Sequence, residues 1–183
     1  MVYMFLANGF EEIEALCPPD LLRRAGVQIK TVGVGSKMIC GAHAINVEAD
    51  VVDSELCDEK PEMIILPGGM PGTLNLDACD AVHKAIDNAL TNNAYIAAIC
   101  AAPSILGKRG LLCDKEAICY PGFEDSLEGA IISSKRVVRD GKFITAAGMG
   151  VALEFGLELV KLLCGADKAD TLFKSVCLIS SAK

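Results

Sequence analysis

Short, uniformly apolar runs, each closed by a turn signal, constrain this chain more than any other feature. The run Tyr95-Ile96-Ala97-Ala98-Ile99 lies between Asn92-Asn93 and a helix start at Ala101-Ala102-Pro103. A run of this length without polar alternation predicts a parallel strand buried on both faces. Met63-Ile64-Ile65-Leu66, stopped by Pro67-Gly68-Gly69, repeats the pattern, as do Val2–Ala7 and Val27–Val34. Helical segments alternate with them: Glu11–Ala25 closed by Gly26, Asp80–Leu90, a helix from Ala101 to Lys108, Val151–Leu163 capped by Gly165, and a last short helix over Lys168–Ser175. Residues 38–52 read as a hairpin or irregular ribbon, and Ile118–Tyr120, Val137–Val138 and Phe143–Ala146 as further short strands. Repeated β-α units predict an α/β fold, a doubly wound sandwich around a mostly parallel central sheet. No linker, repeat or low-complexity tract divides residues 1–183, so a single domain is expected.

Composition narrows the function classes. The 52% hydrophobic and 22% charged content suits a sheet covered on both faces. A net charge of −7 argues against a nucleic-acid partner, which needs a basic surface. No run is long enough to span a membrane, and the apolar N-terminus lacks the basic flank of a signal peptide. No strand–helix turn carries a dinucleotide or P-loop fingerprint, so no cofactor is expected. Nine cysteines at scattered positions, with no C-x-x-C pair, indicate neither a disulfide framework nor a metal site. They fit a reducing, cytoplasmic setting, where most act as small hydrophobes.

Cys100 is the exception, because it stands at the carboxyl end of the Tyr95–Ile99 strand. Ligands of open α/β sheets bind in the crevice at such strand ends, and a following helix start favours a thiolate. Three other loops converge there: Asn8–Glu14, Pro67–Gly72 and Ala147–Gly150. The first offers Glu11, Glu12 and Glu14 as carboxylates, with Glu11 and Glu14 able to share a helix side and Glu12 turned elsewhere. Gly68 and Gly69 allow backbone amides to approach a reacting oxygen, and the amide of Ala101 is the usual second donor in an elbow. Gly148 and Met149 line the crevice from the third loop. The two histidines, His43 and His83, both precede Cys100. His83 reads as a solvent-face residue, and His43 sits in a turn that borders either the crevice or a dimer contact. No triad with a downstream histidine can be built.

Ala97-Ala98-Ile99-Cys100-Ala101-Ala102-Pro103, with Leu66-Pro67-Gly68-Gly69 and Gly9-Phe10-Glu11-Glu12-Ile13-Glu14 ahead of it, resembles the ThiJ/PfpI family nearly end to end. Within it, the chain is most similar to the branch of the Parkinson-disease protein deglycase and bacterial ThiJ-like proteins. The resemblance implies a flavodoxin-like sandwich, a homodimer and a nucleophile at Cys100. It implies that Glu14 is the protonated partner of the thiolate, with a lowered cysteine pKa and a raised glutamate pKa. It further implies that Gly69 and Ala101 are the backbone donors. The implied activity is cofactor-independent and of glyoxalase or deglycase type, acting on small aldehydes such as methylglyoxal or on glycated amines and thiols. The rival is an oxidative-stress sensor or chaperone in which Cys100 is oxidised to sulfinate. Two departures stand out. Tyr120 precedes Pro121 where the branch often has a histidine, and a phenol is a poor base at neutral pH. Ala101 stands where protease members carry a histidine, which argues against peptidase activity. The expected substrate pocket comprises Gly68, Tyr120, Gly148, Met149 and His43, and Ile13, Leu16 and Pro18-Pro19 are expected at the dimer surface.

Overall fold

The structure, a computed structural model, describes residues 1–56 and 60–177; Cys57 lies outside them. Eleven strands and six helices follow one another as β1 (Val2–Leu6), α1 (Glu12–Ala25), β2 (Ile29–Gly33), β3 (Met38–Cys40), β4 (Asn46–Glu48), β5 (Val51–Val52), β6 (Met63–Leu66), α2 (Gly72–Asp77), α3 (Asp80–Thr91), β7 (Tyr95–Ile99), α4 (Pro103–Gly107), β8 (Glu116–Ala117), β9 (Ile131–Ile132), β10 (Val137–Asp140), β11 (Phe143–Ala146), α5 (Ala152–Cys164) and α6 (Ala166–Ser175). The main sheet has seven strands in the order β10-β11-β7-β6-β1-β2-β5. Only the β10–β11 pair is antiparallel. This is the expected sandwich with a mostly parallel sheet.

The two faces of the sheet follow from strand periodicity. Met4, Leu6, Ile65 and Ile99 point to one side, against Leu21, Leu22, Phe155 and Leu159 of α1 and α5. Phe5, Ile64, Leu66 and Ala98 point to the other, against Val82, Ile86 and Ile105 of α3 and α4. Both sides are covered, so the strands carry no polar alternation. Helix α1 contains Pro18 and Pro19, both buried. They are therefore core residues and not surface contacts as expected: Gly156 of α5 has no side chain and lies against Pro18 and Leu21. Ile13 and Leu16, by contrast, remain exposed.

The parallel registers align the strand ends that matter. Leu66 pairs with Ala98 and Ala146 with Ile99, so β6, β7 and β11 finish at one level beside β1. The loops after these four strands enclose one crevice.

The expected hairpin is present, one element was not foreseen and one expected strand is corrected. The 38–52 segment divides into the β3–β4 hairpin and β5, which joins the main sheet. Helix α2, entered through Pro71, carried no periodic signal long enough to read. Ile118–Tyr120 is not a strand; the short strand is β8, and the following amides brace the site. Ile118 N–H donates to Thr145 Oγ1 (3.0 Å), and Tyr120 N–H donates to the Cys100 carbonyl (2.8 Å).

Thr145 is buried on β11, so its hydroxyl is the link between the sheet and the 118–120 segment. Thr145→Val is expected to lower unfolding free energy by about 1–3 kcal/mol in chemical denaturation, because an amide loses its acceptor. Thr145→Ser should lose clearly less.

Candidate active site

Cys100 occupies the sharp turn between β7 and α4 with φ of +66°, a left-handed conformation that costs a non-glycine residue about 1–3 kcal/mol. Both ends of the residue are tied. Its N–H donates to the Ala146 carbonyl (2.9 Å), extending the β7–β11 ladder by one rung, and its carbonyl accepts from Tyr120. The strain is thus held by two neighbouring loops, which aim the half-buried thiol into the crevice. Helix α4 is shorter than expected, beginning at Pro103 and running only five residues. Individual amides therefore matter more here than a helix dipole: those of Gly69 and Ala101 act on the sulfur and favour its thiolate.

Glu14 reaches the same point from the first turn of α1. It is fully buried. Glu11, the N-cap of α1, accepts the Glu14 N–H at 2.8 Å, which orients that turn. Glu14 Oε2 accepts from Gly68 N–H (2.9 Å), and its carboxyl is in hydrogen-bonding contact with the Cys100 thiol. The second oxygen, Oε1, has no hydrogen-bond partner although it is buried.

Gly68 is required by this approach. A Cβ there would lie 2.6 Å from Cys100 Cβ, 2.7 Å from Glu14 Oε2 and 3.0 Å from Cys100 Sγ. Gly69 is needed for its φ of +92°, and a side chain on it would strike the backbone of Gly9 to Glu11. Loops one and two are joined by Glu11 N–H to the Gly68 carbonyl (3.0 Å) and Gly72 N–H to the Gly9 carbonyl (3.1 Å).

Burial dominates the electrostatics. Desolvation pushes Glu14 up to about 7, with the neighbouring Glu11 charge adding to it. Burial, followed by the Glu14 charge and hydrogen bond, pushes the Cys100 thiol up to about 12. This direction opposes the acidified cysteine that the resemblance implied. No cation acts on either group among the described residues. By desolvation alone Cys100 is no better a nucleophile than Cys17 or Cys119, each raised to about 11. What distinguishes it is the carboxyl beside it. Moving the thiol proton onto Glu14 removes the charge that opposes a thiolate and turns the carboxyl from acceptor into donor. The two groups therefore titrate as a pair around one proton.

The remaining expected residues are partly brought together. Tyr120 and Gly148 meet at the rim: a Cβ on Gly148 would lie 3.2 Å from Tyr120 Cδ2 and 3.8 Å from Glu14 Oε1. The Met149 backbone acts on the Glu14 carboxyl, while its side chain is exposed. His43 is elsewhere. Its N–H donates to Glu12 Oε1 and its Nδ1 bonds Glu12 Oε2, both at 2.7 Å, with the imidazole 70% exposed. Glu12 is turned away from Glu14, as expected. His83 is bonded through Nε2 to the Asp77 carbonyl at the end of α2 (2.7 Å) and is not a free solvent-face residue.

Sequence reasoning missed the hairpin's part in the site. Gly9 N–H donates to the Cys40 carbonyl and Ala42 N–H to the Phe10 carbonyl, both at 2.8 Å, so the β3–β4 hairpin is fastened over the segment leading to Glu14. The donors of Glu11, Glu12 and His43 lie within 4.8 Å of one another, near enough for a metal ion. Both Glu12 oxygens and one Glu11 oxygen are already committed to N–H groups, which leaves no open donor set.

The chain as a whole, in sequence and in fold, is similar to known proteins. The DJ-1/PfpI family profile matches residues 1–162. The chain belongs to the DJ-1/PfpI family. Protein DJ-1 homolog B of Arabidopsis thaliana is 37% identical over 167 residues, covering 90% of this chain and 38% of that protein. The chain thus spans well under half the length of that plant relative. Glutathione-independent glyoxalase DJR-1.2 of Caenorhabditis elegans is 30% identical over 169 residues, covering 92% of this chain and 90% of that protein. The oxidized DJ-1 of Toxoplasma gondii superposes with a TM-score of 0.94 at 30% identity, covering 98% of each chain. The flavodoxin-like fold is that of this DJ-1 family. No helix among the described residues is long and apolar enough to cross a membrane.

Gly68→Ala drives a methyl between thiol and carboxyl. It is expected to slow alkylation of Cys100 by iodoacetamide at least tenfold, read by peptide mass spectrometry. The far-UV circular dichroism should stay that of the parent.

Proposed function

We propose that this protein is a cofactor-independent enzyme that converts small α-oxoaldehydes to hydroxy acids through Cys100 and Glu14. The observation that carries this is the Glu14 carboxyl, buried beside Cys100, poised near neutrality and left with one unpartnered oxygen facing the crevice. A pKa near the working pH lets one group act as acid and base in turn.

Sulfur attacks the aldehyde carbon of methylglyoxal, and the thiol proton passes through Glu14 to the new oxygen, giving a hemithioacetal. The amides of Gly69 and Ala101 stabilise the charge that develops on that oxygen. Glu14 then takes the proton from the former aldehyde carbon and returns it to the neighbouring ketone carbon, while the hydroxyl proton passes to the former ketone oxygen, leaving a thioester. Water releases lactate and restores the thiol. The aldehyde carbon is oxidised as the ketone carbon is reduced, so no external electron carrier is needed. The same attack on an aldehyde already joined to an amine or thiol would free that amine or thiol. Tyr120 is not assigned the proton transfer, because a phenol is a poor base at neutral pH.

The name of the nematode relative, a glutathione-independent glyoxalase, supports this reading. We place the enzyme in a reducing cytoplasm, on its free thiols, and as a homodimer. Ile13 and Leu16 of α1, Met38 and Ile45 of the hairpin and Leu153 of α5 supply the exposed apolar side chains for that contact. A second reading, a redox sensor, draws on the same unpartnered Glu14 oxygen, which is placed to hold an oxygen of an oxidised Cys100.

Lactate formation from methylglyoxal is the test. Cys100→Ser should abolish it, and Glu14→Gln should reduce kcat by about 10²–10⁴-fold, the usual worth of a general acid–base. The enzymatic reading is wrong if the parent protein forms no more lactate than Cys100→Ser. In that event a gain of oxygen at Cys100 ahead of the other thiols, seen by intact mass after mild peroxide, would leave the sensor reading standing.

A further inference from the structure

Two unlike groups stand over Gly148. On one side is the edge of the Tyr120 ring, with Cδ2 3.2 Å and Cε2 3.8 Å from where a Gly148 Cβ would stand. On the other is Glu14 Oε1, 3.8 Å from the same point, fully buried and without a hydrogen-bond partner. A buried polar atom left unpaired is uncommon and points to a ligand group that completes it. The Tyr120 ring is held in place from its backbone, since its N–H is bonded to the carbonyl of Cys100 itself. Its position is therefore fixed relative to the nucleophile. Yet the side chain is 50% exposed, and Met149 beside Gly148 is 49% exposed. About half of this aromatic and thioether surface is left open by the described residues. No cationic side chain among the described residues acts on Glu14 or Cys100.

A carbonyl compound attacked at Cys100 must present its second oxygen to Glu14 and project its remaining substituent outward past Gly148. That substituent then lies along the Tyr120 ring. We propose that Tyr120 is the specificity-determining wall of this site and selects α-oxoaldehydes bearing a flat apolar group, arylglyoxals over methylglyoxal. The inference rests on the aldehyde reading of Cys100 and adds the substrate class. Aromatic stacking and thioether contact supply the preference, and both are geometric, so the ring matters and the phenol oxygen does not. The chemistry is unchanged: phenylglyoxal and water give mandelate, with the hydrogen of the aldehyde carbon transferred to the ketone carbon.

The test is the ratio of kcat/KM for phenylglyoxal to that for methylglyoxal, read as mandelate and lactate formed. Comparing variants cancels the intrinsic reactivity of the two aldehydes. Tyr120→Ala should lower the ratio by about three- to tenfold, the worth of one aromatic contact, and Tyr120→Phe should preserve it. A ratio unchanged in Tyr120→Ala, or lost equally in Tyr120→Phe, overturns the proposal. A binding measurement separates it from the aldehyde reading. Mandelate should protect Cys100 from iodoacetamide at lower concentration than lactate does, and Tyr120→Ala should abolish that difference. If neither aldehyde is turned over while this preference persists, the aldehyde reading falls and the aromatic wall stands. Equal protection by the two acids overturns the wall.

Discussion

A carboxyl buried against a thiol, with no cation among the described residues to neutralise either, is the constraint on which the rest of this molecule depends. Burial raises both groups, Glu14 to about 7 and Cys100 to about 12, and their contact forces them to share one proton. Most local peculiarities serve that contact. Gly68 makes room for it, Glu11 orients the turn that delivers Glu14, and the left-handed backbone at Cys100 turns the thiol into the crevice. The strained residue is secured by the β11 and 118–120 segments, and Thr145 anchors the latter. The sheet supplies rigidity, and the loops supply the chemistry.

This view changes how a reactive cysteine is to be understood here. A thiol can be acidified by a cation or by a long helix dipole, and this site has neither in reach. Acidification can come only from proton transfer onto the neighbouring carboxyl, aided by the amides of Gly69 and Ala101. Cys17 and Cys119 are buried to similar effect but have no such acceptor as a partner.

Much of the fold was readable because doubly covered parallel strands leave an unbroken apolar signature, as in Met63–Leu66 and Tyr95–Ile99. Strand ends then located Cys100; the acidic helix start offered Glu11, Glu12 and Glu14, and the family resemblance alone singled out Glu14. What stayed hidden was set by contacts distant in sequence. Ile118–Tyr120 has strand-like composition but spends its amides on Thr145 and Cys100. Pro18 and Pro19 look like surface breakers, yet the missing side chain of Gly156 lets α5 close over them. His43 lies close in space to the functional loop but is taken by Glu12, a pairing across 31 residues that no local pattern announces. The upward shift of Cys100 was also hidden, because its largest cause is depth of burial, with the Glu14 charge adding to it.

The shared proton is tested most directly by the rate of Cys100 alkylation as a function of pH, in the parent protein and in Glu14→Gln. If the pair gives up its first proton near neutrality, the parent rate will be half-maximal at or below about pH 7, as the raised Glu14 requires, and flat above it. Glu14→Gln, which cannot accept the proton, will lose that step and react only as the pH climbs toward the range of an isolated buried thiol. A parent profile with its midpoint above about 9, superimposable on that of Glu14→Gln, would contradict the account.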